Sequence, residues 1–139
     1  MKRVLALTVA IALAFGVIGT CFAASPEKKA KACANSWLEL VDGKKYAESY
    51  DAAASLFKGM MKKEDWVSAL SNLRSMLKGV VSRKLVSVKY QATMPGAPDG
   101  EYVILVYKTK FDKKDDAQEV VVPMLDSDGR WRVSGYHIK

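Results

Sequence analysis

The sequence predicts an α+β fold in which three N-terminal helices pack on a curved four-stranded antiparallel sheet, preceded by a signal peptide helix. Two observations support this prediction. Apolar residues recur at helical spacing up to Leu77, and from Val80 their period changes to two. Turn-forming residues then separate four strand-like segments, as in a meander of hairpins. Helices that precede the strands, instead of alternating with them, indicate the α+β class.

The beginning of the chain is typical of an exported protein. A Lys-Arg pair at 2–3 precedes an uncharged apolar run at 4–19, and small residues follow at the positions that a signal peptidase reads. The run is short for a membrane-spanning helix. We therefore expect a signal peptide at 1–23 and cleavage before Ala24. Of the 139 residues, 116 would remain as a single α+β domain at 24–139.

The two cysteines, Cys21 and Cys33, limit the redox chemistry of the chain. Cleavage after Ala23 would leave Cys33 alone, so the mature chain could form no internal disulfide. Alternatively, Cys21 could become a lipidated N-terminus, although Thr20 stands where a lipoprotein signal usually has Gly, Ala or Ser. The signal peptide or this lipid would then be the only contact with a membrane.

Basic residues exceed acidic ones by 22 to 15, a formal net charge of +7. Loss of the Lys-Arg pair of the signal leaves 20 against 15, or +5. The basic residues are interleaved with acids, for example at 62–65 and 113–116, which is typical of a solvated mixed surface. We expect no nucleic acid as a partner of an exported protein. An envelope protein or a small anionic ligand is expected instead.

The three helices have distinct boundary signals. At the first start, Ser25 can cap free N–H groups, Pro26 fits the first helical position, and Glu27 favours the positive helix end. Glycines follow each apolar stripe and are expected to end the helices. The predicted spans are 25–43, 44–58 and 62–78, with Gly59 and Gly79 ending the last two.

Four strands follow. In the first, Val86, Val88 and Tyr90 alternate with polar residues, which predicts a half-buried strand. The second is apolar on both faces over 102–107, so we place it centrally in the sheet. Pro123 predicts a bulge or an edge position in the third. The predicted spans are 80–94, 101–111, 118–125 and 130–138, with a charged hairpin tip at 113–116 and a tight turn at 126–129.

Several motifs of this domain are shared with a known family. They are Trp37-Leu38-x-Leu-Val-Asp42-Gly43-x-x-Tyr46, Trp66, Arg74, Gly79, Ser82-Arg83, Pro98-Asp99-Gly100-Glu101-Tyr102, Phe111, Glu119-Val120 and Asp128-Gly129-x-Trp131-Arg132-Val133-x-Gly135-Tyr136. With them the chain resembles, over about 29–139, a family of small exported bacterial proteins known as domain of unknown function 4019. The resemblance implies a bacterial periplasmic location and a cone-shaped fold of the nuclear transport factor 2-like or cystatin-like kind. It implies no activity, cofactor or catalytic residue.

The sequence lacks the residues that several common enzyme chemistries require. The mature chain would hold one cysteine and one histidine, too few for a zinc site, and it has no phosphate loop or serine-hydrolase motif. We therefore expect no catalytic residue, metal or cofactor. Cys33 shares a helical face with Trp37, which indicates a buried structural cysteine. Asp126 and Asp128 begin like a calcium loop, but His137 stands where the closing Glu should be, which favours a hairpin turn.

A few charged and aromatic residues could nevertheless form a ligand pocket. Arg74 and Arg83 could meet Glu119 near the mouth of a cone. Guanidinium groups bind carboxylates and phosphates through two hydrogen bonds. We favour a second interpretation, in which Arg74 or Arg83 pairs with Glu119 or Glu101 and ties a helix to the sheet. The candidate ligand-binding residues are Arg74, Arg83, Tyr102, Glu119, Trp131 and Tyr136.

The expected function is that of a small exported, non-catalytic binding or interaction module of the cell envelope. One alternative is an isomerase- or hydratase-like enzyme with an acid/base pair drawn from Glu119, Tyr102 and Tyr136. Such chemistry needs a carboxylate with a raised pKa in a dry pocket. The state of Glu119 separates the two interpretations. An unpaired Glu119 in a deep pocket favours the enzyme, and a Glu119 bound to arginine favours the module.

A third possibility is a homo-oligomeric structural subunit that pairs through an open sheet face. We expect an apolar patch on that face, formed by Ile104, Val106 and Val121.

Overall fold

The α+β class is confirmed by a computed structural model, which describes residues 22–139. Four helices precede four strands. The elements are α1 (Pro26–Asp42), α2 (Tyr46–Asp51), α3 (Ser55–Met60), α4 (Lys63–Leu77), β1 (Val80–Gln91), β2 (Tyr102–Phe111), β3 (Lys114–Leu125) and β4 (Trp131–Ile138). The predicted signal segment up to residue 21 and the lipidation candidate Cys21 lie outside the described residues. None of the helices in 22–139 has both the length and the apolar stretch that a bilayer crossing requires.

The strands form one curved antiparallel sheet in the order β1-β2-β3-β4. β2 lies between β1 and β3, so its predicted central position is confirmed. The pairing of β3 with β4 shifts register between Val122 and Pro123, which confirms the predicted bulge. β3 is an inner strand, so the alternative edge position for Pro123 is wrong.

The prediction of three helices is wrong at the second one. The segment predicted as one helix at 44–58 forms the two short helices α2 and α3, and Gly59 lies inside α3 instead of ending a helix. The break occurs because the Ala54 N–H donates to the Val133 carbonyl at 2.8 Å. In a continuous helix that N–H would point to Tyr50, four residues back. The hydrogen bond to β4 therefore replaces a helical one.

The core lies between the helices and one face of the sheet, and two tryptophans occupy its centre. The ring centroids of Trp37 and Trp66 are 6.0 Å apart. Both indole N–H groups are satisfied by Ser49, through its carbonyl at 2.9 Å and its hydroxyl at 3.0 Å. Tyr136 packs edge-on against Trp37, with the centroids 5.1 Å apart. This contact holds the Tyr136 ring at the margin of the core.

The opposite sheet face carries a separate apolar cluster around Val120 and Val122, which Ile104 and Val106 join. Val121 was expected beside Ile104 and Val106, and this prediction is wrong. Val121 is fully buried in the core under the helices, because successive residues of a strand point to opposite faces.

The predicted half-burial of β1 is also wrong. Val86, Val88 and Tyr90 are 53%, 42% and 40% exposed. β1 is an edge strand, and its register with β2 shifts between Leu85 and Ser87, so the alternation breaks at Val86. The apolar residues of β1 therefore line an open margin of the sheet.

Candidate functional site

Two carboxylates and two arginines meet where α1 and α4 approach the sheet. We call Asp42, Arg74, Arg83 and Glu119 the charge cluster. Asp42 is the last residue of α1, and Arg74 lies in the last turn of α4 on the buried side of that helix. Arg83 lies on β1 and Glu119 on β3. The cluster thus joins four elements and contains two positive and two negative side chains.

Glu119 is completely buried, and both of its oxygens are bound. Oε1 accepts from Arg83 Nε at 2.8 Å and from Thr109 Oγ1 at 2.6 Å. Oε2 accepts from Arg83 Nη2 at 3.2 Å and from the Tyr136 hydroxyl at 2.5 Å. Arg74 Nη2 lies 3.8 Å from Oε2. Since an ionised carboxylate has about four acceptor positions, these donors use the capacity of Glu119.

Asp42 bridges the two arginines. Arg83 donates to it from Nη1 at 2.7 Å and from Nη2 at 3.0 Å, and Arg74 donates from Nη2 at 2.8 Å. Partial burial acts to raise the pKa of Asp42, but the hydrogen bonds and charges of Arg83 and Arg74 outweigh it and lower the pKa. Burial also opposes ionisation of Arg83, yet its carboxylate partners raise the pKa of Arg83. Both side chains are therefore charged at neutral pH.

Tyr136 completes the inner side of the cluster. Its hydroxyl donates to Glu119 and accepts from Arg74 Nη2 at 3.4 Å. Burial and then the Glu119 charge raise the pKa of Tyr136 far above its ordinary value, so the phenol stays neutral. The Arg74 guanidinium carbon lies 5.1 Å from the Phe111 ring centroid, a cation–π contact. Arg74 Nε is buried and has no hydrogen-bond partner among residues 22–139.

The structure brings together only some of the predicted candidates. Tyr102 does not join the cluster, because it packs with the apolar residues of the opposite sheet face and its hydroxyl donates to the Pro98 carbonyl at 2.5 Å. Trp131 also lies apart, at the start of β4 beside Cys33. The four candidates that meet are Arg74, Arg83, Glu119 and Tyr136.

The expected ion pair between arginine and Glu119 is confirmed by the 2.8 Å contact with Arg83. Two members of the site were not predicted. Asp42 was interpreted only as a helix end, although a carboxylate on the last turn of α1 is a natural partner for nearby arginines. Thr109 had a signal in the strand pattern, since the alternation of β2 turns it to the same face as Phe111.

Two surface grooves could receive a ligand, and the first of them adjoins the charge cluster. The first, which we call the basic groove, has a volume of about 370 Å³ and contains Arg74 in its wall together with Lys44 and Lys78. The second, the tryptophan groove, is more open, with a volume of about 660 Å³. Its walls include the buried Trp37 and the half-buried Trp131, so its accessible aromatic surface comes from Trp131.

Cys33 lies in the tryptophan groove and is half-buried. Its Sγ donates to the Trp131 carbonyl at 3.3 Å. Burial raises the pKa of Cys33 to about 11, although the charge of Arg132 acts in the opposite direction. The thiol is therefore neutral at pH 7 and a weak nucleophile. His137, the only histidine of the chain, is exposed on β4.

The part of the chain that the structure describes offers no set of metal ligands. Across 22–139, no three or more side chains of His, Cys, Asp or Glu are grouped so as to hold an ion. Asp126 and Asp128 instead bind Arg132, at 3.2 and 2.7 Å, in the predicted tight turn. The two carboxylates of the charge cluster both accept hydrogen bonds from arginine, so the cluster holds charged groups in place.

The comparison with protein families places these residues in a known group. A model for the family described as "Protein of unknown function (DUF4019)" matches residues 33–136, a span that contains the whole charge cluster. No curated protein matches the chain. Because the family model covers well over half of the 139 residues, the chain belongs to the DUF4019 family.

Proposed function

We propose that this protein is a small exported, non-catalytic binding or interaction module of the bacterial cell envelope. The observation that carries the proposal is the pairing of Glu119. A general base must have a free lone pair that reaches the proton of a substrate. Glu119 instead accepts hydrogen bonds on both oxygens, from Arg83, Thr109 and Tyr136. This arrangement supports a structural role, in which the cluster ties helices to the sheet.

The enzyme alternative receives no support from the same cluster. An isomerase or hydratase would use a carboxylate whose pKa is raised in a dry pocket. The arginines lower the pKa of Asp42, and Glu119 is bound to Arg83. Tyr136 cannot replace them as a base, because its raised pKa keeps it neutral. We therefore place the function of the protein on its surface, in the two grooves.

The start of α1 supports the proposed export and cleavage. The Lys28 N–H donates to the Ser25 hydroxyl at 3.2 Å, which caps the helix. Cleavage before Ala24 would leave this cap intact and remove none of the elements of the domain. The order of helices followed by a four-stranded meander supports the cone fold of nuclear transport factor 2-like or cystatin-like proteins.

N-terminal sequencing of the protein from its natural source tests the export part of the proposal. We expect a mature chain that begins at Ala24 in the exported fraction. An intact Met1 on protein from the cytoplasm would contradict it. A diacylated Cys21 would replace the free periplasmic protein with one anchored by lipid to an envelope membrane.

Native mass spectrometry of the exported protein tests the binding part. We expect a stoichiometric companion, either a small molecule or an envelope protein, that Trp131→Ala or Lys78→Ala removes and Lys89→Gln on the exposed margin of β1 retains. A companion that is a second copy of this chain would favour the homo-oligomeric subunit. Chemical turnover of the companion that disappears in Glu119→Gln, with the fold intact, would contradict the proposal.

A further inference from the structure

Two lysines at the basic groove have backbone conformations that usually belong to glycine. Lys44 has φ 59°, and Lys78 has φ 63° with ψ −148°. Among the non-glycine residues of 22–139, only these two have a positive φ. A Cβ atom makes this region unfavourable, and residues held there often serve a binding site. Both lysines line the same groove.

At the end of α1 the strain could have been avoided. The Lys45 N–H donates to the Leu40 carbonyl at 2.8 Å, and the Lys44 N–H donates to the Val41 carbonyl at 3.1 Å. In this type of helix ending the left-handed residue is most often glycine. Here the glycine is Gly43, one position earlier, with φ −79°. The left-handed position is occupied by Lys44, which lines the groove.

The end of α4 also places a positive φ on a lysine beside a glycine, although its hydrogen bonds differ from those at the end of α1. The Lys78 N–H donates to the Arg74 carbonyl at 2.9 Å, and Gly79 follows it. The Gly79 N–H donates to an Asp112 carboxylate oxygen at 2.9 Å, and a Cβ on Gly79 would lie 3.0 Å from that oxygen. A side chain at position 79 would displace the Asp112 carboxylate slightly, and the positive φ again falls on a lysine instead of the adjacent glycine.

The charges around the groove favour an anion. Lys44 and Lys78 form no ion pair with any residue in 22–139, as judged from side-chain nitrogen to carboxylate distances. Arg74 lies in the wall, and its hydrogen bonds to other residues all run from Nη2. Asp42 is the one carboxylate of the lining, and it is neutralised by Arg74 and Arg83.

We propose that the basic groove binds a small organic oxyanion, a phosphate or carboxylate group carried on a small molecule, between Lys44 and Lys78. This inference rests on the proposed function and names its ligand class. Two ammonium groups without a carboxylate partner attract an anion, and Ser71 adds a hydroxyl beside them. A volume of about 370 Å³ falls within the range of small-molecule sites. The need for these charges explains why lysine stands where glycine would relieve strain.

Titration of the ¹⁵N-labelled mature protein with inorganic phosphate, and separately with acetate at the same ionic strength, tests the proposal by NMR. We expect saturable shifts of the Lys44, Lys78 and Gly79 amides with at least one of the two anions. Lys44→Gly and Lys78→Gly should each melt several degrees higher, because the strain is relieved, and should weaken binding by about tenfold. Lys89→Gln, which removes an exposed charge away from the groove, should change neither property.

The opposite results are equally clear. Glycine variants that melt higher but bind phosphate and acetate as the wild type does would overturn the proposal. Shifts that are absent, or that do not saturate and spread to Lys89, would do the same. Should a glycine variant fold poorly, Lys44→Asn removes the charge and still tolerates the left-handed backbone. A companion that persists in the exported fraction without any anion binding would sustain the proposed function and reject this inference alone.

Discussion

At Glu119, burial destabilises the ionised carboxylate and hydrogen bonds stabilise it. An isolated ionised carboxylate in a protein core would be strongly unfavourable. Four hydrogen bonds from Arg83, Thr109 and Tyr136 replace the lost water, and Arg83 supplies two of them. Charge-assisted hydrogen bonds are stronger than neutral ones, and Asp42 balances the second positive charge of the cluster by binding both arginines. Both carboxylates of the charge cluster are thereby satisfied by side chains of 22–139, whereas Arg74 donates from Nη2 alone and its buried Nε has no partner among those residues.

The reactivity of Cys33 tests whether this single residue has a structural role. We expect its thiol to react slowly with a disulfide reagent at pH 8 in the folded protein and rapidly in urea, since its pKa is about 11 and its Sγ is bound to Trp131. Cys33→Ala should lower the free energy of unfolding by about 1–2 kcal/mol, through the small gap it leaves. Absorbance of the released thiol follows the reaction. Equal rates in the folded and unfolded protein would contradict the structural role.

At the scale of elements, Asp126 holds the start of α3 against the turn between β3 and β4. Its Oδ2 accepts from the Ser55 backbone N–H at 3.0 Å, from the Ser55 hydroxyl at 3.1 Å and from Arg132 Nη1 at 3.2 Å. The hydrogen bond from the Ser55 backbone is the largest cause that lowers the pKa of Asp126. The start of the short helix α3 is therefore bound by a residue from the turn between β3 and β4.

Because the pKa of Asp126 is lowered in the folded state, acid is expected to destabilise the fold. The folded state binds fewer protons than the unfolded state, so the contribution of Asp126 is complete above its ordinary pKa of about 4 and is lost as the pH falls. Asp126→Asn should lower the free energy of unfolding at pH 7 by about 1–2 kcal/mol and weaken its dependence on pH between 5 and about 3. Urea unfolding at the two pH values measures both effects. Asp51→Asn, in the exposed pair with Lys63, serves as the control.

Element types were predictable wherever one period persisted. The stripes of α1 and α4 and the strand pattern of β2 depend on local spacing, and these elements are confirmed within two residues. The break at Ala54 was not predictable, because it depends on a hydrogen bond to the distant Val133. The exposure of β1 likewise follows from its edge position in the sheet, which local spacing does not reveal.

Part of the candidate site could also be predicted from local spacing. Arg74, Arg83 and Glu119 converge because each lies on an inward face whose direction the local pattern gives. Tyr102 was misplaced, since a strand apolar on both faces does not show which residues point to the helices. Asp42 was not predicted as a member of the site, because the position of the end of α1 depends on the packing of the whole domain.

At the scale of the whole molecule, the charge cluster and the tryptophan core connect the helices to the sheet in two different ways. The core excludes water around Trp37 and Trp66. The cluster links α1, α4, β1 and β3 through ion pairs. A fold of this kind serves many activities, so the function must be argued from its sites. We propose that the cluster is structural and that binding takes place in the grooves.

The free energy of unfolding of Glu119→Gln, measured in urea at pH 7, tests this claim most directly. Glutamine keeps the shape of the side chain but leaves the half-buried guanidinium of Arg83 with Asp42 as its only carboxylate partner. We expect a loss of about 3 kcal/mol, as for other broken buried ion pairs. Asp51→Asn, which breaks an exposed pair, should lose less than about 1 kcal/mol. A Glu119→Gln variant as stable as the wild type would contradict the claim and favour the enzyme alternative.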